Sequence, residues 1–153
     1  MDNGIFRITV DEKGRFMVPK KLRSSFDSNI FVLTYGVEKC LQLLPQNDFE
    51  KLKDAIYSKV GTSFNRNSRL LLRRYVAPAA EISVDSMGRI AIPRALRECV
   101  GIELKKELIF VSAGSFNEIW SESEYIAMQE DTMIELESAS EEVFNIMNNE
   151  GKN

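Results

Sequence analysis

The sequence carries one 16-residue segment twice, at 8–23 and again 74 positions later at 82–97. The two copies share Asp, Gly, Arg, Pro, Leu and Arg in register, and an apolar residue occupies four further matching positions. Weaker similarity relates 31–49 to 108–125, so each half comprises about 50 to 60 residues. Internal repetition on this scale indicates two copies of one supersecondary unit that pack against each other.

Each copy begins with a predicted β-hairpin that is followed by a short helix. In the first copy, alternating apolar residues stand on both sides of Asp11 and Gly14, which suit the first and last positions of a type I turn. The second copy has the same two residue types in the same places. A proline after the second strand, followed by Leu and Arg at helical spacing, predicts helices over 19–26 and 93–99.

A second hairpin and a longer helix are predicted after each short helix. The predicted elements are strands 31–34, 41–44, 108–111 and 116–120, helix starts with capping-box patterns at 47–50 and 121–124, a helix end at Gly61, and a connecting helix over 66–75. Apolar residues three to four positions apart continue the last helix through an otherwise acidic segment.

The expected fold class is mixed β/α, in one compact body. Four-stranded halves of this size bury too little apolar surface to be stable alone, so we expect them to complete each other's core around a pseudo-two-fold axis. The predicted division is a first domain with its following helix at 1–60, a connecting helical segment at 61–77, a second domain at 78–124, and an acidic C-terminal helix and tail at 125–153.

Charge is distributed unevenly along the chain. The net charge is −3, but residues 1–117 carry 19 Lys and Arg against 13 Asp and Glu, whereas 118–153 carry one Lys against ten acids. Local potential, not total charge, attracts a polyanion to a protein surface. The acidic average is therefore compatible with nucleic-acid binding by the first 117 residues.

Several classes of protein are disfavoured by composition. The sequence has no histidine, which excludes imidazole general bases and histidine-ligated zinc, and it has no glycine-rich phosphate loop. We therefore expect no enzymatic activity, no catalytic residue, no cofactor and no metal. The two cysteines, Cys40 and Cys99, form no CxxC pair, and we expect both to be reduced and buried. Without a membrane-length apolar run or an N-terminal leader pattern, we expect a cytoplasmic protein with no membrane partner.

The repeated arginines are the best candidates for a functional role. A turn explains Asp11 and Asp85 but requires no guanidinium after them, and Arg15 and Arg89 occupy the same place in both copies. Each arginine could pair with the aspartate four residues before it, or it could bind phosphate oxygens or the edge of guanine. The residue pattern leaves both interpretations open.

Neighbouring basic residues favour the first copy as the DNA-facing one. Segment 7–23 has six basic residues and two acidic ones, whereas 81–97 has three and two. Lys20, Lys21 and Arg23 could equally form a solvated basic face. The four arginines within 66–74 are expected to pair with the acidic tail or with a neighbouring subunit.

The repeated motif resembles that of a known family. Asp-x-x-Gly-Arg, two apolar positions around a variable residue, Pro, and then Leu-Arg is similar to the SpoVT/AbrB-type transition-state regulators, whose swapped-hairpin barrel normally needs two chains. Two such units in one chain, with Leu-Arg-Glu-Cys-Val-Gly-Ile at 96–102 and Glu-Ile-Trp at 118–120, resemble the MraZ family. Ser-Ser-Phe at 24–26 departs from the usual Leu-Gly-Ile-like ending of the short helix.

The resemblance implies both a fold and a function. The implied fold is a pair of tandem swapped-hairpin halves that form a pseudo-two-fold β-barrel, with flanking helices and a C-terminal helix. The implied function is that of a nucleoid-associated transcriptional regulator of the repressor type, which binds direct repeats upstream of its own operon in the division and cell-wall gene cluster. The implied assembly is a homo-oligomeric ring of about eight subunits on double-stranded promoter DNA.

By correspondence with the family motif, Asp11, Arg15, Asp85 and Arg89 form the DNA-binding surface. The charge pattern adds Lys13, Lys20 and Arg23 as phosphate contacts. The alternative is a protein-interaction or scaffold module that does not bind DNA. It would act through the apolar residues of the C-terminal helix, which are Met133, Leu136, Val143 and Met147.

Overall fold

The computed structural model describes residues 3–26, 30–59, 65–114 and 116–151, which form two antiparallel sheets flanked by helices. The strands are β1 Gly4–Thr9, β2 Arg15–Met17, β3 Phe31–Tyr35, β4 Leu41–Pro45, β5 Ala80–Ile82, β6 Arg89–Ala91, β7 Glu107–Ala113 and β8 Phe116–Ser121. The helices are α1 Arg23–Phe26, α2 Gln46–Lys59, α3 Arg66–Leu71, α4 Arg94–Cys99, α5 Glu122–Asp131 and α6 Met133–Glu150. A 3-10 turn at Lys20–Leu22 precedes α1, and a π-helical turn at Leu72–Val76 continues α3.

The order of strands reflects the sequence repeat. The larger sheet has six strands in the order β1-β7-β8-β4-β3-β5, and β2 pairs only with β6 in a separate ladder that we call the β2–β6 ribbon. If each strand is replaced by its counterpart in the other half, the order becomes β5-β3-β4-β8-β7-β1. This is the same order read from the other end of the sheet. Hydrogen bonding among the described strands produces two open sheets and no closed barrel.

The predicted first hairpin of each half is wrong, because the two halves exchange these strands. β1 pairs with β7, with Phe6 opposite Phe110, and β2 pairs with β6, with Phe16 opposite Ile90. Only the turn stays local, and Asp11 N donates to Arg15 O at 2.8 Å. Strands of three residues form a weak hairpin on their own, and the exchange buries Phe16 and Ile90 in a core shared by both halves.

The second hairpin of each half is confirmed. β3 pairs with β4 from Phe31 to Tyr35, and β7 pairs with β8 along the whole of β8. Leu41 of β4 faces Ile119 of β8, which joins the two hairpins in the middle of the sheet.

One apolar core joins the two halves. It includes Val10, Phe16, Leu33, Ile90 and Leu108, each at most 1% exposed. The rings of Phe16 and Phe110 lie 5.9 Å apart, so a residue of the ribbon packs against the centre of the large sheet. A smaller cluster of Cys40, Ile109 and Trp120 lies on the opposite side of the sheet, where Tyr125 of α5 covers it.

The helices agree with the sequence in most places. The short helices after Pro19 and Pro93 are present, as is the connecting helix, which Asn65 caps by accepting from the backbone N–H groups of Asn67 and Ser68. Ser121 caps α5 by accepting from Glu124 N at 3.2 Å, as its capping box predicts.

Three expectations about the helices and cysteines need correction, and a fourth lies outside the described residues. Helix α2 begins at Gln46, so the capping box predicted at 47–50 falls inside the helix. The last helix divides at Thr132, where φ is −104° and the backbone leaves the helical region between α5 and α6. Cys99 is exposed, although Cys40 is buried as expected. The helix end predicted at Gly61 lies outside the described residues.

No helix in the described ranges is both long enough and apolar enough to cross a membrane.

Candidate nucleic-acid interface

The first loop, residues 11–14, is built around one carboxylate. Asp11 Oδ1 accepts from the backbone N–H groups of Lys13 at 2.9 Å and Arg15 at 2.8 Å, and Asp11 Oδ2 accepts from Arg15 Nε at 2.8 Å. Gly14 has a φ of +81°, a conformation that L side chains rarely adopt. A single aspartate therefore fixes both the turn and the arginine that follows it.

The second loop, residues 85–88, repeats this geometry. Asp85 Oδ1 accepts from Met87 N and Arg89 N, and Asp85 Oδ2 accepts from Arg89 Nε, all at 2.9 Å. Gly88 has a φ of +83°. The same set of contacts, each within 0.1 Å of its counterpart, thus occurs twice in one molecule.

The Asp–Arg ion pair leaves the two terminal nitrogens of each guanidinium available. Arg15 and Arg89 use Nε for the aspartate, and among the described residues their terminal nitrogens have no partner. Their side chains are 28% and 29% exposed. The two interpretations of these arginines are therefore compatible, because one side chain can hold the turn and still donate to a ligand.

Both aspartates are held in the ionised form. The backbone N–H of Arg15 is the main cause that lowers the pKa of Asp11. Desolvation opposes it, but the side chain of Arg15 and the backbone N–H of Lys13 lower the pKa further. The pKa of Asp85 is lowered in the same way by Arg89 and Met87. Stabilisation from these carboxylates is therefore present at neutral pH, and it is lost only as the pH falls through their lowered pKa values.

The β2–β6 ribbon places both arginines on one face. Phe16 and Ile90 are buried, and side chains alternate along a strand, so Arg15 and Arg89 lie on the outer face. Arg15 is opposite Ala91, and Arg89 is opposite Met17, which puts the arginines at diagonal corners of the ribbon.

The two loops extend the ends of the ribbon. Gly14 O accepts from Ile92 N, and Gly88 O accepts from Val18 N, both at 2.9 Å. The outer face of the ribbon and both loops therefore form one continuous surface, which we call the ribbon surface.

Arg23 lies at the second loop. Its position in the sequence, close after the first loop, had predicted that it would lie at the first loop. A Cβ atom on Gly88 would be 3.0 Å from Cζ of Arg23, and Arg23 Nε donates to Val18 O at 3.2 Å. The exchange of strands is the reason, because it brings the end of β2 beside the second loop.

Arg97 is a residue that sequence reasoning missed. It is the counterpart of Arg23 in the repeat, and it lies against the first loop, where a Cβ atom on Gly14 would be 3.5 Å from its Nε. Its Nη1 donates to Ile102 O at 3.1 Å. The repeat contained the signal, since each half carries an arginine at this position of its short helix.

The structure also changes the balance of charge between the copies. Lys13 and Lys20 are exposed as expected, but Arg7 pairs with Glu122 at 3.2 Å and Lys21 donates to Asn3 O. Each loop now combines a basic residue of its own half with an arginine of the other half. The charge count that favoured the first copy therefore no longer separates the two loops.

One arginine of the connecting segment has a structural role. Arg74 donates to Gly36 O and Glu38 O at 2.8–3.0 Å, and its guanidinium lies 4.7 Å from the centroid of the Tyr35 ring. It fixes the π-helical turn to the β3–β4 hairpin. Among the described residues it forms no ion pair with the acidic tail, contrary to that part of the expectation.

Comparison with known proteins identifies the family. The family model MraZ, described as "MraZ protein, putative antitoxin-like", matches residues 1–74 and 75–146. The chain belongs to the MraZ family. The two matches show that the sequence repeat is the MraZ duplication, and the paired Asp–Arg loops fall one in each match.

Curated relatives are similar over most of the chain. Proteins named "Transcriptional regulator MraZ" are 41% identical in Treponema denticola, over 80% of this chain and 83% of the relative, and 34% identical in Treponema pallidum strain Nichols, over 81% of each. The protein of that name in Halothermothrix orenii is 33% identical over 92% of this chain and 96% of its own. A solution structure of PHS018 from Pyrococcus horikoshii aligns with 78% of this chain and 89% of its own, at 19% identity and a TM-score of 0.29.

Proposed function

We propose that this protein is a transcriptional regulator that binds double-stranded DNA through the ribbon surface. The observation that carries the proposal is the pair of Asp-held arginines, Arg15 and Arg89, at diagonal corners of one solvent-facing ribbon. The names of the curated relatives support the same function.

The ribbon surface suits the major groove. A two-stranded antiparallel ribbon fits the groove, which is about 12 Å wide, and arginine commonly makes a bidentate contact with the O6 and N7 atoms of guanine. Asp11 and Asp85 orient the guanidiniums before DNA arrives, which lowers the entropy lost on binding. Arg15 and Arg89 would then read base edges.

Phosphate contacts would come from the rest of the surface. Lys13 and Lys20 are exposed, and Arg23 and Arg97 lie against the two loops. Each neutralised phosphate adds about −0.9 to the slope of log affinity against log salt concentration. One subunit with few such contacts would bind weakly and with a clear salt dependence.

Self-association would convert weak contacts into tight binding. The proposed targets are direct repeats upstream of the protein's own operon in the division and cell-wall gene cluster. The proposed assembly is a ring of about eight subunits. Once one subunit is bound to DNA, binding of a second subunit to the next repeat is intramolecular, which raises avidity roughly 10²- to 10⁴-fold. Occupation of promoter DNA in the nucleoid would repress transcription without catalysis or a cofactor.

The arrangement of the two halves in this proposal is pseudo-two-fold. The symmetric strand order and the mutual exchange of β1 and β5 support such an axis, and the ribbon and the large sheet enclose one core in the manner of an incomplete barrel. Such an axis would present the two loops to DNA in equivalent orientations.

The test is fluorescence anisotropy with a labelled fragment that contains the upstream repeats. Arg15→Ala and Arg89→Ala should each weaken binding about 5- to 150-fold, the range of a bidentate base contact of about 1–3 kcal/mol. Lys53→Ala is the control, because Lys53 also pairs with an acid of its own element, Glu50 at 3.4 Å, but lies on α2, outside the ribbon surface. Binding by the double variant that equals the wild type would reject the proposal.

A further inference from the structure

Helix α6 presents a long apolar face to solvent. Met133, Leu136, Val143, Phe144 and Met147 are each 50–58% exposed. At 3.6 residues per turn these five positions fall on one side of the helix, which at 18 residues is about 27 Å long. An apolar face of this length on an otherwise soluble domain marks a surface that binds a partner.

The same helix is strongly acidic. It contains five glutamates and neither Lys nor Arg, and Glu137 and Glu141 border the apolar face on one side. Among the described residues, none of these five glutamates forms an ion pair. Two α6 helices placed side by side would bring like charges together, so the surface that fits this helix is basic and partly apolar.

The connecting segment, α3 with its π-helical turn, has that chemistry. Residues 66–76 contain four arginines and no acid. Arg66, Leu70 and Arg73 are exposed at spacings of four and three, which puts them on one face. Within the described part of the chain, Arg66 and Arg73 have no ion-pair partner, and Arg74 anchors the segment to the β3–β4 hairpin.

We propose that α6 of one copy docks on the connecting segment of a second copy. Leu70 would contact the apolar face of α6, and Arg66 and Arg73 would pair with the glutamates that border it. Every copy carries both surfaces at different places, so the contact is heterologous and can propagate from one subunit to the next, and it closes into a ring when the rotation per subunit permits. The inference rests on the proposed function only in that this contact would array the DNA-binding ribbons.

The test is the molar mass of the full chain without DNA, measured by size-exclusion chromatography with light scattering. We expect the wild type to be an oligomer. Glu137→Arg with Glu141→Arg should reduce it to a monomer, and so should Arg66→Glu with Arg73→Glu. Each pair of changes places like charges opposite each other across the contact. A chain with all four changes should recover the oligomer, since the charges are complementary again with opposite sign.

Two further samples make the test specific. An equal mixture of the two charge-reversed variants should also assemble, because each supplies the surface that fits the other. Asp54→Arg with Glu103→Arg is the matched control, since both residues are exposed and outside the two surfaces, and its mass should equal that of the wild type. Circular dichroism of every variant should show unchanged helix content.

Three results would overturn the inference: a wild-type monomer at tens of micromolar, an unchanged mass in either charge-reversed variant, or no recovery in the chain with four changes. Failure of the DNA-binding proposal is distinguishable from these. Arg15→Ala with Arg89→Ala lies outside both surfaces, so it should keep the oligomeric mass whether or not it changes DNA binding.

Discussion

At the scale of single residues, each repeated aspartate does two things with two oxygens. Oδ1 of Asp11 holds the backbone of the turn, and Oδ2 holds Nε of Arg15. These two tasks can be separated by chemistry, because an amide keeps one acceptor oxygen and replaces the other with a donor.

Asp11→Asn should therefore release the arginine and leave the turn intact. The amide oxygen can still accept from the backbone N–H groups of Lys13 and Arg15, whereas the amide nitrogen cannot accept from Arg15 Nε. We expect a melting temperature that falls less than in Asp11→Ala, because the backbone contacts of the turn are kept, together with DNA affinity reduced toward that of Arg15→Ala, measured by thermal unfolding and anisotropy. Asp11→Ala should lower both. Wild-type affinity in Asp11→Asn would show that the ion pair does not orient the arginine.

Gly88→Ala should strain the second loop and displace a basic side chain. The φ of +83° costs an L residue about 1–2 kcal/mol, and the new Cβ would lie 3.0 Å from Cζ of Arg23. Gly14→Ala is the matched comparison, because its φ is +81° but the nearest atom to its Cβ is 3.4 Å away. Chemical denaturation should show a loss in both variants, and the loss should be larger for Gly88→Ala. A neutral Gly88→Ala would contradict the loop geometry.

At the scale of secondary structure, local patterns predicted elements well and their pairing only in part. The turn chemistry of Asp11 and Gly14, the prolines before the short helices and the cap at Ser121 are local, and the structure confirms them. The partner of a short strand is a global choice, decided here by burial of Phe16 and Ile90 in one core. Pairing was therefore the step that sequence periodicity could not settle.

The same reasoning explains what was missed in the candidate site. The Asp–Arg pairs were predicted as one of two alternatives, since residues four apart across a turn are near in any fold. Arg23 and Arg97 were misplaced or missed because each lies on the loop of the other half, and only the strand exchange brings them there.

Phe16→Ala tests the strand exchange. Phe16 is 1% exposed and packs against Phe110 of the other half, so its truncation should lower the free energy of unfolding by about 3–5 kcal/mol. Met17→Ala is the control, because Met17 is 40% exposed on the outer face and should change stability by about 0.5 kcal/mol or less. Equal effects in urea denaturation would contradict the burial of β2 between the halves.

At the scale of the whole molecule, the surfaces proposed for DNA binding and for self-association lie on different elements of one chain. The loops are joined through the ribbon, and the acidic α6 and the arginine-rich connecting segment stand apart from it. The overall charge of −3 therefore conceals an uneven distribution of charge. In the two proposals, basic residues near the loops would face DNA and the acidic helix would face a neighbouring subunit. DNA binding and assembly should consequently respond to different substitutions.

The most direct measurement is footprinting of the DNA upstream of the protein's own gene at low and high salt. Wild-type protein should protect tandem sites at low salt, with protection that weakens as salt rises, and the variant with Arg15→Ala and Arg89→Ala should leave these sites open at the same concentration. Absence of protection by the wild type at low salt, or equal protection by the double variant, would contradict DNA binding through the ribbon surface.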